Sequence, residues 1–413
     1  VAKVCWQFRA TALGAALIIS AGFFLALRPS PAYASTYSWQ QTLNQARGEK
    51  VNLWMWSGDP AGNLYVDRYL TPAAAKLGVT LHRIAIADTK DALNRALSEN
   101  AAGSHNGTVD LVWVNGDNFK TGVQAGLWRC DWANHLPNSV YEAPNDPLLI
   151  SDFGNSVNGC EAPWHKAQFS FVYNADNVRN PPKTMYELFK WIKTNPGRFT
   201  YPIVDDFTGA AFIRQTLYAT SGGFRNVPQT YDAARFAKLT PKLWETLNGI
   251  KSSLWRSGQT YPQSSVEMDK LFSDGQIDFT MTYGPATLTH LVANGTFPAA
   301  TRILKLSSGT LGNASFLALS KNSANQAGAQ VVANLALSPQ QQLIKSDPVK
   351  WGQFSVLDIR RLSKSDQLNF AQIPASEVVP PFSVLSKDAN PELGADWIAP
   401  LARDWRKYIL QSP

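Results

Sequence analysis

A chain of 413 residues with 38 Lys+Arg, 31 Asp+Glu and a formal net charge of +7 has the length for large cores and for two domains or more. The positive balance is weak over that length and no Lys/Arg block stands out. It reads as a solubility feature and argues against nucleic-acid or anionic-membrane binding.

The first segment holds Lys3 and Arg9, an apolar run over residues 10–27, then Arg28, Pro29, Pro31 and the triplet Ala32, Tyr33, Ala34 before Ser35. A basic start, an apolar stretch and an A-x-A ending are the parts of a secretory signal peptide, which predicts residues 1–34 as the signal, with cleavage near Ala34. About 18 apolar residues would also serve as a membrane anchor, but the prolines and small residues favour cleavage and a soluble mature chain. Cys5 precedes the apolar run, so no cysteine stands where a lipid anchor needs one. Beyond it only Cys130 and Cys160 remain, and in an oxidising compartment two cysteines most simply pair. A catalytic thiol helped by His135 or His165 is the alternative.

From Lys50 a regular alternation begins. KVNLWMW (residues 50–56) reads as a strand ended by the turn signal Ser57, Gly58, Asp59, Pro60. Residues 64–77 read as a helix interrupted at Pro72, and residues 79–86 as a second strand. Asp88 can cap a helix that places Leu93, Ala96, Leu97 and Ala101 on one face. Residues 109–114, apolar but for Asp110, form a third strand covered on both faces. Strand, helix, strand, helix, strand with short links predicts a parallel α/β sheet.

Residues 128–166 break the pattern with prolines and both cysteines and read as loop. Residues 168–173 then form a strand, and Thr184 with Glu187 makes a capping box for a helix through Lys193. A strand at 199–202, a loop at 203–208 and a helix at 209–220 follow. Thr240 and Pro241 start another helix, and Ser264 with Glu267 caps one that Gly275 ends. Residues 277–282 form a strand, 313–320 another, and helices occupy 327–337 and the stretch after Ser338 and Pro339; the remainder reads as mainly helical. Two α/β units in series, with the strand at 313–320 passing back to the first, predict a hinge and a cleft lined by loops at strand ends.

SFVYNAD (170–176) followed by PPKTMYEL (181–188) resembles the crossover segment of type II solute-binding proteins of ABC importers. DGQIDFTMTYGPA (274–286) resembles the helix end, strand and cleft loop of the second lobe, and NASFLALSKNSANQAGAQVVANLALSPQQQ (313–342) the return strand, long helix and Ser-Pro turn. The resemblance spans about residues 50–355. It is nearest to a branch loosely linked to thiamine transport, and more distant from polyamine and iron receptors; the adjacent tyrosines of an iron receptor do not occur here. It implies a two-lobed α/β fold of the type II periplasmic binding class, each lobe a mixed sheet flanked by helices. The implied layout is lobe I over 35–173, lobe II over 174–312, a return to lobe I over 313–355, and a C-terminal helical segment over 356–413 packed on lobe II or the hinge. It also implies a periplasmic, monomeric receptor that binds a small solute without catalysis, cofactor or metal and delivers it to the permease and ATPase subunits of an importer.

The family's ligands come from loops after strands and from helix N-termini. Here those loops carry Ser57 and Asp59, then Asn115, Asp117 and Asn118, then Asp205, Asp206 and Thr208, and finally Tyr283. The acids would set a negative potential in the cleft and favour a cationic solute, thiamine-like or polyamine-like. Capping of the next helix is the competing role for each Asp. Trp56, Trp164, Tyr173 and Trp351 are the aromatic candidates for stacking on a heterocycle or holding a cation. No H-E-x-x-H, G-x-S-x-G, Walker A or G-x-G-x-x-G motif is present. The rival reading is a secreted carbohydrate-binding protein or glycoside-active enzyme using cleft Trp and carboxylates.

Overall fold

The computed structural model describes residues 38–374 and 376–411; the predicted signal segment lies outside the described residues. Strand β1 (Lys50–Trp56) buries Val51, Leu53 and Met55 and leaves the intervening residues half-covered, the period of a pleated strand. It pairs in parallel with β2 (Thr80–Ile86) on one side and β3 (Leu111–Val114) on the other. The connections are helical: α1 (Pro60–Tyr65), a turn and a further helix after β1, then α2 (Thr89–Ala101) after β2. Parallel pairing puts the carboxyl ends of all three strands, and the loops that follow, on one edge.

Two long strands complete this sheet and leave it. β4 (Glu161–Gln168) runs antiparallel to β8 (Thr310–Leu319), which runs antiparallel to β3. The β4–β8 register slips between Ser315 and Phe316, opposite Trp164, a bulge that bends the strand as the chain passes out of the lobe. β5 (Ser170–Asn174) follows two residues later and forms the centre of a second sheet with β6 (Phe279–Thr282) and β7 (Thr301–Ile303). Short β9 (Ala389–Pro391) joins the start of β8.

The buried apolar residues fall into two cores. One draws on residues 46–164 and 314–362, the other on residues 167–311 and 378–409. The chain therefore crosses between lobes at 164–167, at 311–314 and again after 362. Cys130 and Cys160 form a disulfide in the first lobe.

Local readings differ from the structure at identifiable points. The helix expected from Leu64 starts at Pro60, because Asp59 caps it and Pro60 fills its first turn; the interruption expected at Pro72 is absorbed by the π-helical turn Val66–Leu70. The helix expected from Thr240 begins at Ala233 with Asp232 as cap and continues through Pro241. Residues 199–202 are buried but form no strand; the Phe199 carbonyl accepts from the Trp255 N–H at 2.8 Å. β4 lies inside the segment read as loop, where Pro163 hid it. The proline is tolerated because it sits at the bulge in the β4–β8 pairing, and the other edge of β4 carries an isolated bridge, from Lys166 to Phe354, rather than a strand.

Candidate functional site

The lobe I rim of the cleft is built by the ends of β1 and β3. The Ser57 N–H and hydroxyl both donate to the Ile86 carbonyl, at 3.0 and 3.1 Å, tying β1 to β2 past their last residues. Asp59 caps α1: its Oδ1 accepts from the Gly62 N–H at 3.0 Å, and its Oδ2 accepts from Trp351 Nε1 at 2.6 Å. Burial pushes the Asp59 carboxyl up, against the pull of those hydrogen bonds. After β3, Asn115 occupies the cap position of α3 (Gly116–Gln124) with no side-chain capping bond. Gly116 takes φ +63°, the left-handed turn that frees its N–H. That N–H donates at 2.7 Å to Oδ2 of Asp152 in the hairpin Ser151–Asp152 and Asn155–Ser156. Asp117 and Asn118 lie half-buried in the first turn of α3.

The lobe II rim is built by the end of β6 and the start of α4 (Phe207–Thr220). Asp206 is the cap of α4, accepting at 2.8 and 3.0 Å from the N–H groups of Thr208 and Gly209. Its second oxygen accepts from the Ser265 N–H at 2.9 Å, at the head of α5 (Ser265–Ser273). Phe207 packs on Tyr283 with ring centroids 5.0 Å apart. The Tyr283 hydroxyl donates to Glu392, and Arg214 grips the same carboxylate through Nε at 2.8 Å and Nη2 at 3.0 Å. Both members of that ion pair are 2% exposed.

Beside the lobe I rim lie Phe153, 2% exposed yet part of neither core, and buried acids. The Phe153 ring lies 5.9 Å from that of Phe207, and the Arg214 guanidinium lies 5.1 Å from its centroid. Burial pushes the Asp152 carboxyl well above the usual range; the Gly116 bond opposes this, and the charges of Glu392 and Asp117 add to it. Glu161, at the start of β4, is raised well above its usual value by burial and by Asp152. Oδ1 of Asp152 and both oxygens of Glu161 are buried without a hydrogen-bond partner. Two neighbouring carboxylates this dry cannot both ionise unaided.

Several expected site residues occupy other roles. Trp164 and Trp351, expected in cleft loops, are fully buried in the first core, where with Trp113 they surround His165 at ring distances of 5.2–5.6 Å. Burial and the Lys345 charge hold that imidazole well below its usual range. Tyr173 pairs in register with Phe279, the first residue of β6, whereas Tyr283 follows the last; it is at the wrong end of the sheet for the cleft. Asp205 is exposed and paired with Arg406. Asp59, Asp206 and the backbone of buried Thr208 are engaged in helix capping. Asn115, Asp117, Asn118 and Tyr283 remain at the rims, and the half-buried Trp56 ring packs over Gly58, filling the space a Cβ there would take.

The sequence reading missed Asp152, Phe153, Glu161, Arg214 and Glu392. Glu161 had a signal, as a lone acid opening the otherwise uncharged EAPWH run; Arg214 likewise interrupts an apolar helix. Among the described residues no cluster of three or more His, Cys, Asp or Glu could hold a metal ion, and no helix is long and apolar enough to cross a membrane.

The chain is 37% identical over 368 residues to Protein YnjB of Escherichia coli strain K12, covering 89% of this chain and 92% of that protein. Among solved structures it resembles the spermidine/putrescine ABC transporter substrate-binding protein PotD of Streptococcus pneumoniae, with TM-score 0.61 at 11% identity over 87% of this chain and 99% of the other. It is equally similar to the periplasmic binding protein AfuA of Actinobacillus pleuropneumoniae, solved with fructose-6-phosphate, with TM-score 0.61 at 12% identity over 88% and 99%. These likenesses fix the two-lobed binding-protein fold. A family profile, bacterial extracellular solute-binding protein, matches residues 65–352, and the chain belongs to that family.

Proposed function

We propose that this protein is a periplasmic receptor that captures a small solute carrying positive charge, thiamine-like or polyamine-like, between its lobes and hands it to an ABC permease, with no reaction catalysed. The fold does not choose the cargo's charge: PotD is named for polyamines and AfuA was solved with a sugar phosphate. The choice rests on this chain's own acids. Asp152 and Glu161 are buried, within electrostatic reach of each other and without a hydrogen-bond partner for three of their four oxygens. Asp117 adds charge nearby, and the Arg214 guanidinium is already committed to Glu392. A cation between such carboxylates supplies the missing counter-charge.

The test is thermal unfolding of the mature chain with thiamine, spermidine, fructose-6-phosphate and glucose, followed by mass spectrometry of solute retained on purification. A cognate cation at a hundredfold excess over its dissociation constant stabilises by about 2.7 kcal/mol. Stabilisation by fructose-6-phosphate or glucose alone refutes the cationic assignment.

A further inference from the structure

We propose that residues 389–396 form a latch that holds the two lobes closed. The segment is anchored in lobe II. The Tyr218 hydroxyl donates to the Pro391 carbonyl at 3.1 Å, Glu392 is fixed by Arg214, and Leu393 and Trp397 on either side of the tip are fully buried in the second core. Its tip reaches lobe I. The Ala395 N–H donates at 3.0 Å to the Phe153 carbonyl, and the Asp396 carboxylate pairs with Lys120 of α3. Gly394 permits the approach: a Cβ there would meet the Gln229 carbonyl at 2.2 Å, and one at Gly154 would stand 3.3 Å from the Gly394 Cα.

The two sets of contacts differ in kind. The anchor is an ion pair 2% exposed at both ends, which does not open without a large penalty. The lobe I contacts are one backbone hydrogen bond and an ion pair whose Asp396 is 61% exposed, and such contacts are individually weak and re-form readily in water. A strap fixed to one lobe and touching the other through breakable polar contacts biases the open–closed equilibrium without blocking it. Both lobe I contacts flank candidate cargo groups: Phe153 adjoins Asp152, and Lys120 lies one turn along α3 from Asp117. Since apparent affinity scales with the fraction of closed receptor, the latch sets how tightly any cargo is held.

The inference rests on the reading of the chain as a closing receptor, but not on the cargo's charge, so its test uses no solute. Nitroxide labels at Asn100→Cys and Glu245→Cys, both exposed and one on each lobe, report the interlobe distance in the mature chain by pulsed electron spectroscopy. Ala395→Pro removes the N–H alone: position 395 opens a short 3-10 helix, and Gly394 at φ −53°, ψ 142° already has the conformation a following proline needs. Ala395→Pro should lower the closed-to-open ratio about fivefold, and Asp396→Asn about twofold to fivefold. If Ala395→Pro melts early, Asp396→Asn decides alone. Distance distributions that match the unsubstituted protein, or an unsubstituted protein that is open throughout, overturn the latch.

Discussion

The Arg214–Glu392 pair invites the most decisive perturbation of the fold around the site. Arg214→Met removes the guanidinium while keeping most of the side-chain volume. It leaves the Glu392 carboxylate 2% exposed, with only the Tyr283 hydroxyl and the Leu393 N–H, at 3.2 Å, to face it. Breaking one side of a buried pair costs about 3–5 kcal/mol, because an uncompensated charge stays in the interior. Loss of the cation's contact with the Phe153 ring, 5.1 Å away, adds about 0.5–1 kcal/mol. The double variant Arg214→Met/Glu392→Leu removes both charges and should recover most of that loss. The pH dependence has a definite sign. Burial already pushes the Glu392 carboxyl up against Arg214, and without Arg214 it rises further. A carboxyl raised in the folded state destabilises above its unfolded pKa and ceases to do so as falling pH protonates it. The single variant should therefore regain stability between neutral pH and about pH 4.5. Urea unfolding followed by circular dichroism measures both effects. A single variant within about 1 kcal/mol of the parent, or a double variant as damaged as the single, would refute the claim that this pair is a sealed unit.

Asp269 is raised to about 7 by burial, with the Thr280 hydroxyl at 2.6 Å pulling it down; stability should fall as pH rises from about 4 to that value, and Asp269→Asn should remove about 4 kcal/mol of that pH-dependent loss, read in melts across the range. Reducing the Cys130–Cys160 bridge should cost about 3–4 kcal/mol, read as a lower melting temperature with reductant. Asp59→Asn turns the acceptor facing Trp351 Nε1 into a donor and should cost about 1–3 kcal/mol of stability with little change in solute selectivity. Asp152→Asn should leave stability equal or higher and weaken a bound cation about tenfold or more, measured by calorimetric titration.

The architecture was legible wherever periodicity and caps agreed. The runs at 50–56, 79–86 and 109–114 became β1, β2 and β3 to within two residues, because short apolar-rich runs bounded by turn signals are what strands with one buried face require. β4 was not legible: Glu161, Pro163, His165 and Lys166 within eight residues look like loop until β8 lies alongside. The cap signals at Asp88, Thr184 and Ser264 were read correctly for the same local reason, a side-chain oxygen within reach of the N–H three residues on or nearer. The site was less legible. Glu392 meets Arg214 across 178 residues, and Asp152 meets Gly116 across 36, and no short-range pattern encodes either.

That contrast explains which acids serve as helix caps. A carboxylate after a strand stands beside the unsatisfied N–H groups of the next helix, and those donors draw it in. Asp59 spends its oxygens on Gly62 and Trp351, and Asp206 spends its own on Thr208, Gly209 and Ser265. Neither has an oxygen left for cargo. A carboxyl escapes capping duty where the backbone's own hydrogen bonds are already met, and a hairpin and a paired strand meet that condition. Asp152 and Glu161 stand in such places. Their three unpartnered oxygens carry a desolvation cost, which on the cationic reading proposed above a positively charged solute would relieve. On that reading, binding of the cargo and drying of the cleft favour the same closed state.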